Sequence, residues 1–327
     1  MTELLPVDEV EVLVLVDNVT DGLSSTPATV ESEQARLARR GVHTVTGEAL
    51  CHAAHGLCCL VTVRRGGHRR SLLFDAGPEG GVLARNVQLL GADLGGVEAL
   101  VLSHGHWDHG GGLLRAIDLA RGAGSGTPVP VHAHPDAFRE RARERPDGRL
   151  QRLGAVPSPR DLERHGATPV LDDGPRLLLD GQALLSGEIP RVTSFERGLP
   201  GHRRLRDDGV WEPDELLLDE RFVAVHVAGA GLVVLSACSH AGIANVLAHA
   251  TATVPGVPVH TALGGFHLSG ANERIIPETV EALRSFAPAA LAPGHCTGWR
   301  AVAELSRVLG DDRLAPLAVG QRRTIGA

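Results

Sequence analysis

The chain has no lysine; all 32 of its basic side chains are arginine. That absence excludes a Walker-type phosphate loop, whose lysine reaches the terminal phosphates, and any chemistry through a lysine Schiff base. Long apolar runs are missing too. Val10–Val16 is already broken by Glu11, so nothing approaches the roughly 20 residues of a membrane helix. The opening MTELLPVDEVEV is acidic and lacks a basic n-region, which argues against a secretory signal. Cysteine is scarce: five residues, an odd number without framework spacing, argue against a disulfide scaffold and for a reducing, cytoplasmic compartment. A net charge of −7 leaves no footprint for nucleic acid or an anionic membrane. The most basic stretch, Arg139–Arg152, is interleaved with Glu140, Glu144 and Asp147 and reads as a solvated helix face. A G-x-S-x-G nucleophile elbow is absent, and the GAG at Gly229–Gly231 precedes a strand, so it is no dinucleotide turn.

What remains is an ordinary globular composition over 327 residues with one outlier, 17 histidines. Apolar, β-branched runs at Val10–Val16, Leu72–Phe74, Ala99–Leu102, Phe222–Val227, Leu232–Leu235, Val257–Leu263 and Ala289–Ala292 read as strands. Helical patterns cover Ala28–Arg40, Gly80–Leu90, Leu113–Arg121, Pro135–Arg145, Ile243–Thr251, Asn272–Phe286 and Trp299–Leu309. Asn272 and Pro277 suit a helix entry, and Gly310 a stop. Each half starts with strands and finishes with helices, which suits two packed sheets with helices outside. The chain is expected to form a single domain, 1–327. The polar, turn-rich segment 194–215 reads as a lid or a surface excursion, and Gly122–Thr127 as a flexible connector.

The histidines concentrate in Val101–Leu114, VLSHGHWDHGGGLL. In an extended backbone alternate side chains point the same way, so His104, His106 and Asp108 can converge while His109 turns toward a second, adjacent ion. Imidazole and carboxylate suit borderline divalent metals: zinc first, with iron and manganese as alternatives. Gly110, Gly111 and Gly112 let the backbone fold tightly before a helix opening at Leu113.

The stretch SHGHWDHGGGL resembles the signature of the metallo-β-lactamase superfamily. LLFDAG at Leu72–Gly77 is similar to that superfamily's first motif, whose aspartate braces the histidine loop. SACSHAGI (Ser236–Ile243), GGFHL (Gly264–Leu268) and PGHCTG (Pro293–Gly298) resemble a narrower branch, the dihydropterin–ribofuranosylaminobenzene-phosphate synthase-like proteins. VDN (Val16–Asn18), HGL (His55–Leu57) and SGEIPR (Ser186–Arg191) do the same. The resemblance implies an αββα sandwich with one or two metals at its edge. It assigns His104 and His106 to a first metal, and Asp108, His109 and His295 to a second. His240 stands where the superfamily often places another ligand. His267 is expected to line the pocket in a catalytic role, with direct ligation as the alternative.

One departure stands out. Many superfamily hydrolases carry a bridging aspartate on the strand that here ends in SACSH, and Cys238 to His240 occupy that place. No further histidine motif lies between His109 and His240; Glu188 is the nearest candidate, while His132 and His134 read as structural or surface residues. Cys238 and Cys296 read as soft donors or small core residues; Cys58 and Cys59 lie in an apolar strand.

The leading expectation is a metal-dependent hydrolase using metal-bound hydroxide on a small, anionic ester, lactone or phosphoester, with Asp108 orienting the nucleophile. The glycines at 110–112 and 264–265 are expected to offer N–H groups to that anion. The branch implies an alternative, transfer of a pterin-methyl group from its diphosphate to an arylamine with loss of pyrophosphate. Iron-dependent redox chemistry and a non-catalytic metal-binding protein are further alternatives. The oligomeric state stays open.

Overall fold

The computed structural model describes residues 3–122 and 127–326. Most of the Gly122–Thr127 connector therefore lies outside the described residues. Two sheets stack face to face. The first runs, in spatial order, Val30–Glu31, Arg322–Gly326, Glu9–Val16, Cys58–Arg65, His68–Phe74, Val97–Val101, Val129–Ala133 and Ala167–Leu171. The second runs Arg176–Leu178, Ala183–Leu185, Phe222–Val227, Gly231–Ser236, Val259–Gly265 and Ala290–Gly294.

The pleat explains why these runs are strands. In Glu9–Val16, Val10, Val12 and Val14, together with Val61 and Phe74 of the same sheet, face Val223, Val225 and Leu235 of the second sheet. Leu13 and Leu15 face outward into the helices Gly80–Leu90 and Leu113–Arg121, with Leu83, Leu90 and Ile117. On the opposite side, Leu232 and Val234 pack under Val246, Leu247, Val280 and Leu305 of three further helices. The result is helix, sheet, sheet, helix: the expected αββα sandwich.

Three helices have the bounds their periodicity implies: Gly80–Leu90, Leu113–Arg121 and Trp299–Leu309, the last ended by Gly310 at φ +92°. Two others are shorter. The pattern from Ala28 yields a strand at Val30–Glu31 and a helix only at Glu33–Arg39, capped by the Ser32 hydroxyl. The pattern from Asn272 spends its first turn as a 3₁₀ helix, Gly270–Ile275, before Ile276–Phe286, with Pro277 in the opening turn.

Arg139–Arg152 is not a helix face. After a 3₁₀ turn at Pro135–Phe138 the chain forms a hairpin, Arg141–Glu144 with Leu150–Arg152. Pro146–Asp147–Gly148 supplies the turn, closed by Arg145 N–H to Arg149 O, with Gly148 at φ +78°. Charge alternation on a strand and on a helix look alike in sequence; the turn residues decide. The segment 194–215 then adds His202–Leu205 and Trp211–Pro213 to this hairpin as a four-stranded sheet.

Candidate metal centre

The strand Val97–Val101 delivers the histidine loop at its carboxyl end. Asp75, at the end of its parallel neighbour His68–Phe74, receives Ser103 N–H (2.7 Å), the Ser103 hydroxyl (2.8 Å) and His109 Nδ1 (2.7 Å). Since the single Ser103 hydroxyl hydrogen goes to Asp75, Ser103 Oγ accepts from His104 Nδ1 at 2.9 Å. Both rings thereby carry a proton on Nδ1 and turn Nε2 inward. The close approach needs glycine: a β-carbon on Gly111 or Gly112 would strike the carbonyl oxygens of Pro78 or Ala76.

The other strand ends complete the cluster. His240 follows Gly231–Ser236, His267 follows Val259–Gly265, and His295 follows Ala290–Gly294. His104 Nε2 lies 2.9 Å from His106 Nδ1, and His104, His106 and His240 present ligand atoms all within 4.8 Å of one another. On the other side, Asp108 Oδ2 is 3.4 Å from His295 Nε2, 3.5 Å from His55 Nε2 and 3.7 Å from His109 Nε2. The rings of His109 and His295 meet edge on, 4.9 Å apart. His267 stacks beside His240, ring centroids 4.4 Å apart, and its Nδ1 lies 3.2 Å from Cys238 Sγ. Cys238 Sγ is in turn 3.1 Å from Cys296 Sγ.

Buried nitrogens without a partner are costly, and four of them meet in this cluster. His109 Nε2, His295 Nε2 and both ring nitrogens of His240 have no hydrogen-bond partner among the described residues. Burial, and then the neighbouring imidazoles, holds His104, His106 and His240 well below the ordinary imidazole value, so they stay neutral with lone pairs available. Burial also opposes ionisation of Asp108, but His109 and His295 outweigh it and hold its carboxyl below the usual range. Burial would lower His109 likewise; Asp108 and Asp75 overcome it and raise it to about 9, so without a cation Nε2 of His109 keeps a proton that a bound metal would displace. Neutral imidazoles, a carboxylate and inward lone pairs fit a divalent cation, which would supply the missing partner to each.

Backbone strain marks the same spot. Asp75, Ser239, His267 and His295 hold φ of +60°, +55°, +43° and +47°. Such conformations cost about 1–3 kcal/mol each and persist where function requires the geometry.

Some residues fall outside the cluster. His134 pairs with Glu188 at 3.4 Å, away from the site, and His132 lies behind it on Val129–Ala133. The glycine N–H groups are not free for an anion: those of Gly110, Gly111, Gly112 and Gly265 donate to His106, Trp107, Gly77 and Ala237 carbonyls. Two site residues have no signal in the histidine motif. His202, from the 194–215 segment, places Nε2 2.9 Å from His106 Nε2. Arg141 ion-pairs with Asp214 (3.0 Å) and Asp219 (2.8 Å), and Asp219 receives Gly105 N–H at 2.8 Å. The G-H in PGHRR and the R-x-R-x-R alternation are their only sequence traces.

A solved structure of Tm1679, a metal-dependent hydrolase of the β-lactamase superfamily, superposes with a TM-score of 0.71 at 22% identity, covering 97% of this chain and all of that one. The fold is that of the metallo-β-lactamase superfamily. Within this metallo-β-lactamase fold the ends of four strands and the loop after Val97–Val101 meet at one edge of the sandwich, where the cluster lies. Two curated proteins of Methanocaldococcus jannaschii are similar in sequence. A 7,8-dihydropterin-6-methyl-4-(β-D-ribofuranosyl)-aminobenzene-5′-phosphate synthase is 29% identical over 251 residues, 76% of this chain and 82% of that protein. An uncharacterised protein, MJ0448, is 29% identical over 261 residues, 78% and 89% of the two chains. No protein-family model matches the chain.

Proposed function

We propose that the chain is a metal-dependent enzyme that cleaves an ester or phosphoester bond in a small anionic substrate. One observation carries the reading: the clustered ligand atoms of His104, His106 and His240 lie beside Asp108, His109 and His295, with the inward nitrogens of His109, His240 and His295 buried and unpartnered. Each group would hold one divalent ion, zinc first, with iron and manganese as the alternatives. When bound, such ions supply Lewis-acid chemistry, lowering the pKa of water and drawing charge from a carbonyl or phosphoryl oxygen.

The chain's own side chains do the rest. Asp108, kept ionised by the surrounding imidazoles, faces the edge as proton acceptor and orienting group. Asp75 and Ser103 fix the tautomers of His109 and His104. His267 lines the cleft between His240 and Asn272, a placement that supports its catalytic role. Glu196 and Arg197 border the same cleft, which supports reading 194–215 as a cover over a single-domain site and its guanidinium as a contact for an anion. Five free cysteines suit a cytoplasmic setting, and no helix among the described residues is long and apolar enough to cross a membrane.

Cys238 favours a second reading. With a thiol where hydrolases carry a bridging carboxylate, and with the synthase as a relative, the site would transfer a pterin-methyl group from its diphosphate to an arylamine. The deciding experiment follows both products after loading with zinc, manganese or iron(II). Turnover of a phosphodiester or lactone that is lost in His106→Ala together with the metal supports hydrolysis. Pyrophosphate release only when both a pterin diphosphate and an arylamine are present supports transfer. Full activity in metal-free His106→Ala protein refutes both.

A further inference from the structure

His55 and His295 flank Asp108 at nearly equal distance, 3.5 and 3.4 Å from Oδ2, and resemble a pair of ligands. A single asparagine separates their roles. Asn18 lies between the rings, and two backbone groups fix the orientation of its amide. Gly56 N–H can only donate, and it points at Asn18 Oδ1 at 3.1 Å. The His295 carbonyl can only accept, and it lies 3.1 Å from Asn18 Nδ2. The oxygen and nitrogen of Asn18 are therefore assigned by chemistry.

The tautomers follow. His295 Nδ1 sits 3.1 Å from Asn18 Oδ1, an acceptor, so it carries a hydrogen and leaves Nε2 bare. His55 Nδ1 sits 3.1 Å from Asn18 Nδ2, a donor, so it is bare and the ring proton is on Nε2. Burial separates the rings in the same sense: the side chain of His295 is 0% exposed and that of His55 58%.

We infer that His55 is not a metal ligand but a hydrogen-bond donor to the substrate, presenting Nε2–H to an oxygen of an anionic group at the mouth of the site. This rests on the metal-centre reading above. Once Asp108 Oδ2 engages a cation, its long contact to His55 is the weaker use of that N–H, and a phosphate or carboxylate oxygen beside Asp108 is the better one. Trp107, exposed and 6.0 Å from the His55 ring, forms the adjoining wall. The donor is preorganised, because Asn18 is itself anchored at both ends of its amide.

The test uses the full chain and three readouts. In metal-free protein, long-range proton–nitrogen correlation spectra of the imidazoles should show His55 protonated on Nε2 and His295 on Nδ1. Asn18→Asp, which has no donor, should flip His55 to the Nδ1–H form and leave His295 unchanged. Elemental analysis after zinc loading should give His55→Ala the wild-type zinc content, while His295→Ala loses zinc. Calorimetry with inorganic phosphate should show zinc-loaded His55→Ala binding about tenfold or more weakly, and His55→Gln, which keeps an N–H donor, within about threefold of wild type. Zinc loss in His55→Ala, an Nδ1–H signature on His55, or phosphate binding that is absent in wild type or unchanged in His55→Ala overturns the inference. If the wild type takes up no ion, the metal-centre reading fails, and the spectra of the metal-free protein decide the tautomers alone.

Discussion

Asp75 Oδ2 lies 2.7 Å from His109 Nδ1, and both side chains are fully buried. The bond sets which nitrogen of His109 faces the site, so its effect should appear in metal affinity before it appears in the fold. Asp75→Asn, which removes the charge and loosens the ring, should weaken zinc binding about 10–100-fold in chelator competition. Wild-type affinity would show that His109 needs no brace.

Arg141 joins the two halves of the site frame. It pairs with Asp214 and Asp219 in a buried triad, and Asp219 pins the amide of Gly105 between His104 and His106. Arg141→Ala would leave two carboxylates without a cation and should destabilise the protein by about 3–5 kcal/mol in urea unfolding. A loss below about 1 kcal/mol would mean that water reaches the triad.

The thiols of Cys238 and Cys296, 3.1 Å apart, are close enough to close a disulfide by a shift of roughly 1 Å. Treatment with diamide, which takes up the two hydrogens, should remove two titratable thiols and release zinc. Cys238→Ser should keep its remaining thiols and its metal under the same treatment. Retention of all five thiols in the oxidised wild type would refute the proximity.

His132 makes an acid-stability prediction away from the cluster. Burial first, then the charges of Arg176 and Arg221, lowers it from 6.5 to about 4. A folded-state value below the unfolded one means that the contribution is present above about pH 6.5 and is lost as pH falls toward 4. At about 1.4 kcal/mol per unit the full span is on the order of 3 kcal/mol. His132→Gln should therefore lose less stability between pH 7 and pH 4 than wild type, measured by urea unfolding at both values.

Much of this was legible in sequence. The H-x-H-x-D-H loop directly after the Ala99–Leu102 run placed the heart of the cluster at a strand end, and Gly80–Leu90, Leu113–Arg121 and Trp299–Leu309 were readable from period and stops. What escaped depends on partners far along the chain. Arg141 looks solvated until Asp214 and Asp219, some 70 residues later, are known to face it. His202 sits in a polar, turn-rich segment, and only its pairing with Arg141–Glu144 carries it to His106. His55 shows no ligand spacing, since its position is set by Asn18. The glycine N–H groups failed as an anion site for a related reason: the tight packing that demands glycine also consumes the amides.

The strand Arg322–Gly326 lies between Glu9–Val16 and Val30–Glu31, more than 280 residues away in sequence from either. During synthesis the first sheet must wait with an open edge on Glu9–Val16 until that strand arrives. Its pairing is among the most distant the chain can make, so folding should be slow and the waiting intermediate sticky. A ribosome-stalled chain ending before residue 322 should accordingly be more protease-sensitive and more chaperone-bound than its length suggests, even with every histidine of the cluster already made.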